Sequence, residues 1–398
     1  MKYFKIILIT IAIISLGACV KKRDLSKNTV IAHIASNPDG LHPFNDNSGN
    51  RTYIFNYTQK TLMKSDLRTL ETIPILIKNM PIPSENGLDY TYELIDGVKW
   101  DDGTPLTVED IIFTTKVQIA PLTNNSQIKG VYSSVIKAVK QDKSNPNKFI
   151  VKCKSLHVSN SEIYTEIYIQ QKSYWDPEGV LDDLTFDNIN DLKYQPSEKM
   201  TAWFNEFNSG DNSYVPEKLV GLGQYQITEF IPGSYISIEK KENWYADNSD
   251  FIYDQNYPDK IIFKIIQDNA ATYLAVKNQQ IDVSTRLGTT KLIKLQKLDY
   301  FNENYNSAFL PEYTYDYIGL NTKPDGIEFK SFFTDKNVRR AMALLTPVDE
   351  IIDVIEQNHA NRQAAQVSPL KKSYNEDLKP IEFNIEKAKK LLDAAGWI

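Results

Sequence analysis

The stretch Leu94-Ile95-Asp96-Gly97-Val98-Lys99-Trp100-Asp101-Asp102-Gly103-Thr104-Pro105-Leu106-Thr107-Val108-Glu109-Asp110 leaves its backbone few options. Tyr90, Tyr92 and Leu94 alternate with Thr91 and Glu93, which gives a strand with one apolar face. The strand ends at Gly97. Val98 and Trp100 turn inward, and Asp102-Gly103 makes a tight turn. Thr107 and Asp110 then stand at the N-cap and third positions of a helix that carries Val108, Ile111, Ile112 and Thr115 on one side. A strand, a turn and a capped helix in this order point to a mixed α/β fold.

The rest of the chain reads the same way. Val30–Ser36 alternates weakly as a strand until Pro38, Gly40 and Pro43 break it. Tyr53–Leu62 fits a helix or a strand. Val135–Cys153 reads as a hairpin turning at Ser144-Asn145-Pro146-Asn147. Ser197–Ser209 has helical spacing in Met200, Trp203, Phe204 and Phe207. Gln224–Thr228, Tyr235–Glu239 and Lys260–Ile266 read as strands, and a helix follows from about Asn269 to Gln279. Asp335 caps a helix, and Thr346-Pro347-Val348-Asp349 restarts one with Pro at the first position. A last helix from Ile385 to Ala395 has Asn384 as N-cap and Gly396 past its end. With 398 residues, two to three domains are expected.

The N-terminus carries an address. Lys2 and Lys5 precede an apolar run from Ile6 to Ile14, and small residues follow in Leu16-Gly17-Ala18-Cys19. This is a secretory signal peptide over residues 1–18, and it is too short for a comfortable membrane span of about 20 residues. The string resembles a bacterial lipobox, in which Cys19 becomes the first mature residue and carries lipid. Residues 19–29 then form a polar tether. Cys153 is left as a small core residue on a strand.

Chemistry motifs are mostly absent. There is no GxSxG elbow, HExxH, P-loop or GxGxxG. Four SxxK pairs occur with no KTG partner, which is a base rate and not an active site. His33, His42, His157 and His359 share no ligand spacing, and Asp101-Asp102-Gly103 places its Gly wrongly for a calcium loop. Lys+Arg is 45 against Asp+Glu 51, a net charge of −6, which argues against a nucleic-acid partner. No catalytic residue, metal or cofactor is expected, so the sequence speaks for binding.

The Leu94–Asp110 stretch resembles the signature of the family 5 extracellular solute-binding proteins, the peptide, oligopeptide and nickel receptors of ABC importers. Leu41-His42-Pro43, Gly221-Leu222-Gly223-Gln224-Tyr225, Tyr317-Ile318-Gly319-Leu320-Asn321, Val338-Arg339-Arg340-Ala341 and the late AKKLLDAAGW helix agree with family motifs in order. Gln224 stands where the family has proline, and Pro347-Val348 where it has Asp-Arg. The resemblance implies a two-lobed type II clamp of α/β class. Residues 30–50 and 185–257 form lobe one, residues 51–184 an inserted α+β subdomain, and residues 258–398 lobe two. It implies a monomer that captures a short peptide between lobes and delivers it to an inner-membrane permease from the periplasm or cell exterior. By position, ligand contacts fall on Phe44, Asn45, Asp46, Asn47, Ser48, Tyr225, Trp244 and Tyr245. Family members continue well past the Ala-Gly-Trp helix, so an incomplete second lobe and weak peptide binding are expected. A surface lipoprotein that holds a partner or cell-wall component without transport is the alternative. A secreted hydrolase would need a nucleophile–base pair, and none is visible.

Overall fold

A computed structural model describes residues 27–397, except 312, 314, 325, 326, 329 and 372. The expected signal peptide, Cys19 and most of the expected tether lie outside the described residues. The chain divides into two compact units: one runs to Asp268 and takes in Gln280–Thr285, and the other comprises Asn269–Gln279 and the chain from Arg286 onward.

Unit one contains, in chain order, β1 (Thr29–Ile34), α1 (Gly49–Thr58), β2 (Met63–Ser65), β3 (Thr72–Pro74), β4 (Ile82–Pro83), β5 (Asp89–Glu93), α2 (Val108–Ile119), α3 (Ser126–Val135), β6 (Ile136–Gln141), β7 (Lys148–Cys153), α4 (Glu198–Phe207), β8 (Tyr225–Ile231), β9 (Tyr235–Lys240), β10 (Lys260–Ile265) and β11 (Val283–Ser284). A five-stranded sheet has the order β11-β1-β10-β9-β8. β1 pairs in parallel with β10 and β11, while β9 runs antiparallel to both β10 and β8. An antiparallel sheet has the order β4-β5-β7-β6.

Each sheet owns a core. Ile34, Phe263, Ile265, Ile236, Ile238 and Ile227 pack beneath α1 through Ile54 and Phe55. The second core joins Tyr92, Phe149, Val151 and Ile111 to Trp100, Phe204 and Phe207. Three expected boundaries move for this reason. The lobe boundary near Pro258 fails because β10 is a central strand of the sheet that holds β1. The insert boundaries at Arg51 and Leu184 cut through α1, which belongs to the first core, and leave out α4, which belongs to the second.

The turn before α2 takes the expected form. Trp100 is buried, and its backbone N–H donates to Thr104 O at 2.8 Å while Gly103 adopts a φ of +82°. The Asp110 carboxylate gathers the Thr107 N–H at 2.9 Å, the Lys172 N–H at 2.8 Å and the Trp100 indole N–H at 3.4 Å. One buried acid therefore caps α2 and ties it to the turn. Gly221 and Gly223 are fixed by close approach: a Cβ on either would sit 2.2 Å from a backbone oxygen, of Thr58 and Tyr57 respectively.

Unit two contains α5 (Asn269–Lys277), α6 (Thr289–Gln296), α7 (Asp299–Asn304), α8 (Lys336–Leu345), α9 (Val348–Val354) and α10 (Ile385–Ala394). Ala341 and Leu344 of α8 pack on Ala388 of α10. Asp335 and Asn384 cap their helices by accepting the Asn337 and Lys387 N–H groups. Pro347 occupies the N-cap of α9 and not its first position, and Thr346 turns its hydroxyl back to Met342 O at 2.9 Å. Tyr317–Asn321, which the family resemblance implies is a strand ending in Asn, forms none: those residues join no strand ladder, and Tyr317 and Ile318 are exposed.

Candidate functional site

β1, β10 and β11 are parallel, so their carboxyl ends share one edge of the sheet. Loops leaving the carboxyl ends of parallel strands are where open α/β sheets form ligand crevices, because they diverge there. Residues 35–48 leave β1 at this edge, Gln267-Asp268 leave β10, and Thr285 follows β11. The β8–β9 turn joins them, with the Gly233 N–H donating to Asn37 Oδ1 at 3.0 Å. Ser36, Asp39, Asn47 and Gln267 are exposed along this edge.

The loop after β1 is held by its own side chains. Asp39 accepts from the Asn47 and Ser48 N–H groups at 3.2 and 3.0 Å, and Tyr214 Oη donates to Asp39 O at 2.5 Å. Burial works against the Asp39 charge, but these amide donors outweigh it and hold the carboxyl below its usual range. Asp46 folds back onto the His42 N–H, and burial raises its pKa. Asn50 closes the loop from α1 by donating to Ser36 O at 2.9 Å. Asn125, the N-cap of α3, reaches across to donate to Phe44 O and Asn47 Oδ1, both at 2.9 Å.

His42 and Arg51 support the loop from beneath. His42 is wholly buried, its Nε2 donating to Phe207 O at 2.7 Å. Burial and the neighbouring Arg51 push its pKa down to about 4. The Arg51 guanidinium donates to His42 O at 3.0 Å and lies 4.9 Å from the Phe55 ring centre.

The expected ligand residues fall into two separate groups. Phe44, Asn45, Asp46, Asn47 and Ser48 lie in the loop at the carboxyl edge. Phe44 is core, 5.4 Å from Phe207 between ring centres, and Ser48 is the N-cap of α1. Asn45 donates to Asn208 Oδ1 at 3.1 Å. Tyr225, Trp244 and Tyr245 lie at the opposite edge, across strands of six or seven residues, or about 20 Å. Tyr225 pairs with Lys240, is 1% exposed and donates to Pro258 O at 2.7 Å. Trp244 is buried with its indole N–H on Leu222 O at 3.0 Å, and Tyr245 packs 4.7 Å from it. These three do not join the loop, because the β8–β9 hairpin reverses the chain. Sequence reading missed Ser36, Asn37, Asp39 and Asn50. Their signal is a run of small polar residues just beyond a strand that proves parallel.

Two open grooves lie elsewhere on unit one. One of about 310 Å³ runs past Leu219, Gly221, Tyr225 and Thr228 to the Lys241–Asp101 ion pair at 2.8 Å. The other, about 590 Å³, lies between Trp100 and Asp182.

Residues 71–398 match the sequence model of the bacterial extracellular solute-binding proteins, family 5, middle region. The oligopeptide-binding protein AppA of Bacillus subtilis is 25% identical over 321 residues, which are 79% of this chain and 49% of that protein. A dipeptide-binding protein of Escherichia coli is 21% identical over 96% of this chain and 66% of its own length. The chain thus spans about half to two thirds of these relatives. Among solved structures, AppA in complex with a nonapeptide superposes with a TM-score of 0.70 at 21% identity, covering 92% of this chain and 64% of that one. NikZ of Campylobacter jejuni in complex with Ni(L-His) gives 0.66 at 20% identity, covering 93% and 63%. These likenesses establish the two-lobed α/β fold of type II binding proteins.

Proposed function

The chain belongs to the bacterial extracellular solute-binding proteins of family 5, and from that premise we propose that it captures a short peptide for the permease of an ABC importer. The observation that carries this reading is the clasped loop at the carboxyl edge of the sheet in unit one. Ser36, Asn37, Asn47 and Asn50 offer donors and acceptors without net charge, which suits backbone amides of any sequence. The exposed Asp39 adds one carboxylate. Capture needs no covalent step. A ligand that touches both lobes of such a protein only when they close shifts the open–closed equilibrium by its differential contacts.

The protein is proposed to work at the cell envelope, held by lipid on Cys19. Buried CH₂ groups contribute about 0.8 kcal/mol each to such an anchor. Cys19→Ser is expected to move the chain from the membrane fraction to the soluble one or to block processing. Normal maturation with full membrane retention contradicts the anchor.

Native mass spectrometry of the chain purified from its own envelope tests the binding reading. Bound species with peptide masses are expected, with at least tenfold less retained in Asp39→Ala. A chain that is empty, or that carries a solute without peptide bonds, overturns the peptide assignment. Cells lacking the chain are expected to lose uptake of the same peptides. Unchanged uptake favours a surface lipoprotein that binds without transport.

A further inference from the structure

The segment between β9 and β10 turns apolar side chains outward beside the point where the described chain begins. Phe251, Ile252 and Tyr257 of this segment are exposed, Tyr257 by 77%. Leu67, in the loop after β2, is 72% exposed and joins them. Its N–H donates to Tyr253 Oη at 3.1 Å, and the Tyr253 ring lies 5.5 Å from that of Phe251 between centres. The segment is fastened from within. Asp254 accepts from the buried Lys60 ammonium and from Ser249 Oγ, both at 2.8 Å, and Gln255 Nε2 donates to Ser249 O at 2.9 Å. Backbone held in this way keeps its apolar side chains turned out. Single exposed apolar residues are ordinary, but four on one fastened segment and the loop against it mark a surface that another body covers.

The path of the N-terminal arm says what that body is. Asn28 Nδ2 donates to Tyr257 O at 2.7 Å, and Asn28 O accepts the Asp259 N–H at 2.9 Å. The arm therefore leaves from this same segment. Nine peptide bonds separate Asn28 from Cys19. A chain of that length reaches at most about 30 Å, so a lipid on Cys19 holds a bilayer within that distance of Tyr257. We propose that Leu67, Phe251, Ile252 and Tyr257 form a membrane-resting face, which dips into the interfacial layer of the bilayer that holds the lipid. The proposal takes its orientation from the lipid proposed on Cys19.

The chemistry of the face suits lipid. Neighbouring charges are mixed: Arg68 is paired with Asp66 at 2.9 Å, and exposed Lys27 stands against exposed Asp250 and Asp259. They make no field of one sign, so the attraction is apolar burial. Leucine, isoleucine and phenylalanine side chains enter the boundary between headgroups and acyl chains, while the Tyr257 hydroxyl stays wet. β1 and β10 both begin at this edge of the sheet, Thr29 opposite Lys260. The loop after β1 lies at the other edge, across six residues of strand or about 20 Å. A chain resting on this face holds that loop off the lipid.

Residues 20–398, made without lipid, keep every described residue and test the face apart from the anchor. With phosphatidylcholine vesicles, flotation is expected to show weak partitioning that Leu67→Ser combined with Ile252→Ser lowers about tenfold. Leu192→Ser, which alters a fully exposed side chain before α4, is expected to partition as the parent does. Equal partitioning of all three proteins, or none at millimolar lipid, overturns the face. Self-association that the double substitution abolishes, with vesicle binding unchanged, also overturns it and assigns the patch to a second copy. On the lipidated full chain, a nitroxide on Ile252→Cys reads the resting pose, since Cys153 is buried. It is expected to be shielded from a water-soluble relaxant, and a label fully open to water overturns the proposal. Absence of the wild type from the membrane fraction, with the partitioning of residues 20–398 intact, contradicts the anchor and leaves the face standing.

Discussion

His42 sits under the loop at the carboxyl edge with two tasks for its ring. Nε2 donates to Phe207 O, so Nδ1 carries the lone pair and accepts from the Phe44 and Asn45 N–H groups at 3.1 and 3.3 Å. A proton on Nδ1 would face two donors at a site closed to bulk solvent, beside the Arg51 guanidinium. The folded-state pKa of about 4 lies below the ordinary value of 6.5. The unfolded chain therefore takes up a proton that the folded chain refuses. Stability is undiminished above pH 6.5, falls as pH drops toward 4, and levels off below that. The loss from this one group is about 3 kcal/mol. His42→Asn retains an acceptor near the Nδ1 position but cannot titrate, so it is expected to be less stable at pH 7 yet to lose less stability between pH 7 and pH 4. Urea unfolding at the two pH values measures this. An equal loss in wild type and variant would remove His42 as the origin.

At the scale of elements, the cap of α3 does two jobs with one side chain. Asn125 Oδ1 accepts the Ile128 N–H at 3.1 Å, which caps the helix, while Nδ2 holds the loop through Phe44 O and Asn47 Oδ1. Asn125→Asp keeps the cap but turns an oxygen toward those oxygens. Local opening of the loop is expected to become easier by about 1–3 kcal/mol. Hydrogen exchange of residues 44–48 then speeds at least fivefold while that of α3 stays as it was. Equal acceleration in both segments would mean that the cap, and not the clip, was lost. Capped and patterned elements like this one are the part of the fold that local sequence declares: Thr107–Asp110, Ser197, Asp335 and Asn384 all stand where their helices begin. Pairing between distant segments is not declared locally. β10 reads as a strand, but its place beside β1 depends on a partner more than 200 residues away, which is why the boundary near Pro258 was misplaced. The site was half legible for the same reason. The breaks at Pro38, Gly40 and Pro43 mark its loop, whereas the direction of β8, which carries Tyr225 to the far edge, is set only by hairpin pairing.

At the scale of the molecule the two units differ in how much apolar surface they hide. Unit one closes two sheet cores under helices. Unit two, among the described residues, buries Ala275, Val276, Leu295, Phe301, Val338, Ala341, Leu344 and Ala388. It leaves Leu310, Tyr317, Ile318, Ile327, Val354, Ile355, Phe383 and Ile385 exposed. Each fully buried side chain of this size contributes about 1.5–3 kcal/mol relative to an exposed one, so the same chain length earns far less stability in unit two. Its connections are also long: the described residues between α7 and Ser331, and between α9 and α10, contain no helix or strand. Segments with few buried contacts open first and are cut first. Heating is therefore expected to melt unit two below unit one, giving two calorimetric transitions. Limited trypsin treatment should cut first after lysines and arginines of residues 305–330 and 356–384, leaving a fragment that retains β1 through β11. The exposed apolar side chains should also bind a hydrophobic dye before the main transition. A single cooperative melt, with first cuts inside the β5–β7 sheet, would show that the two units share one stability.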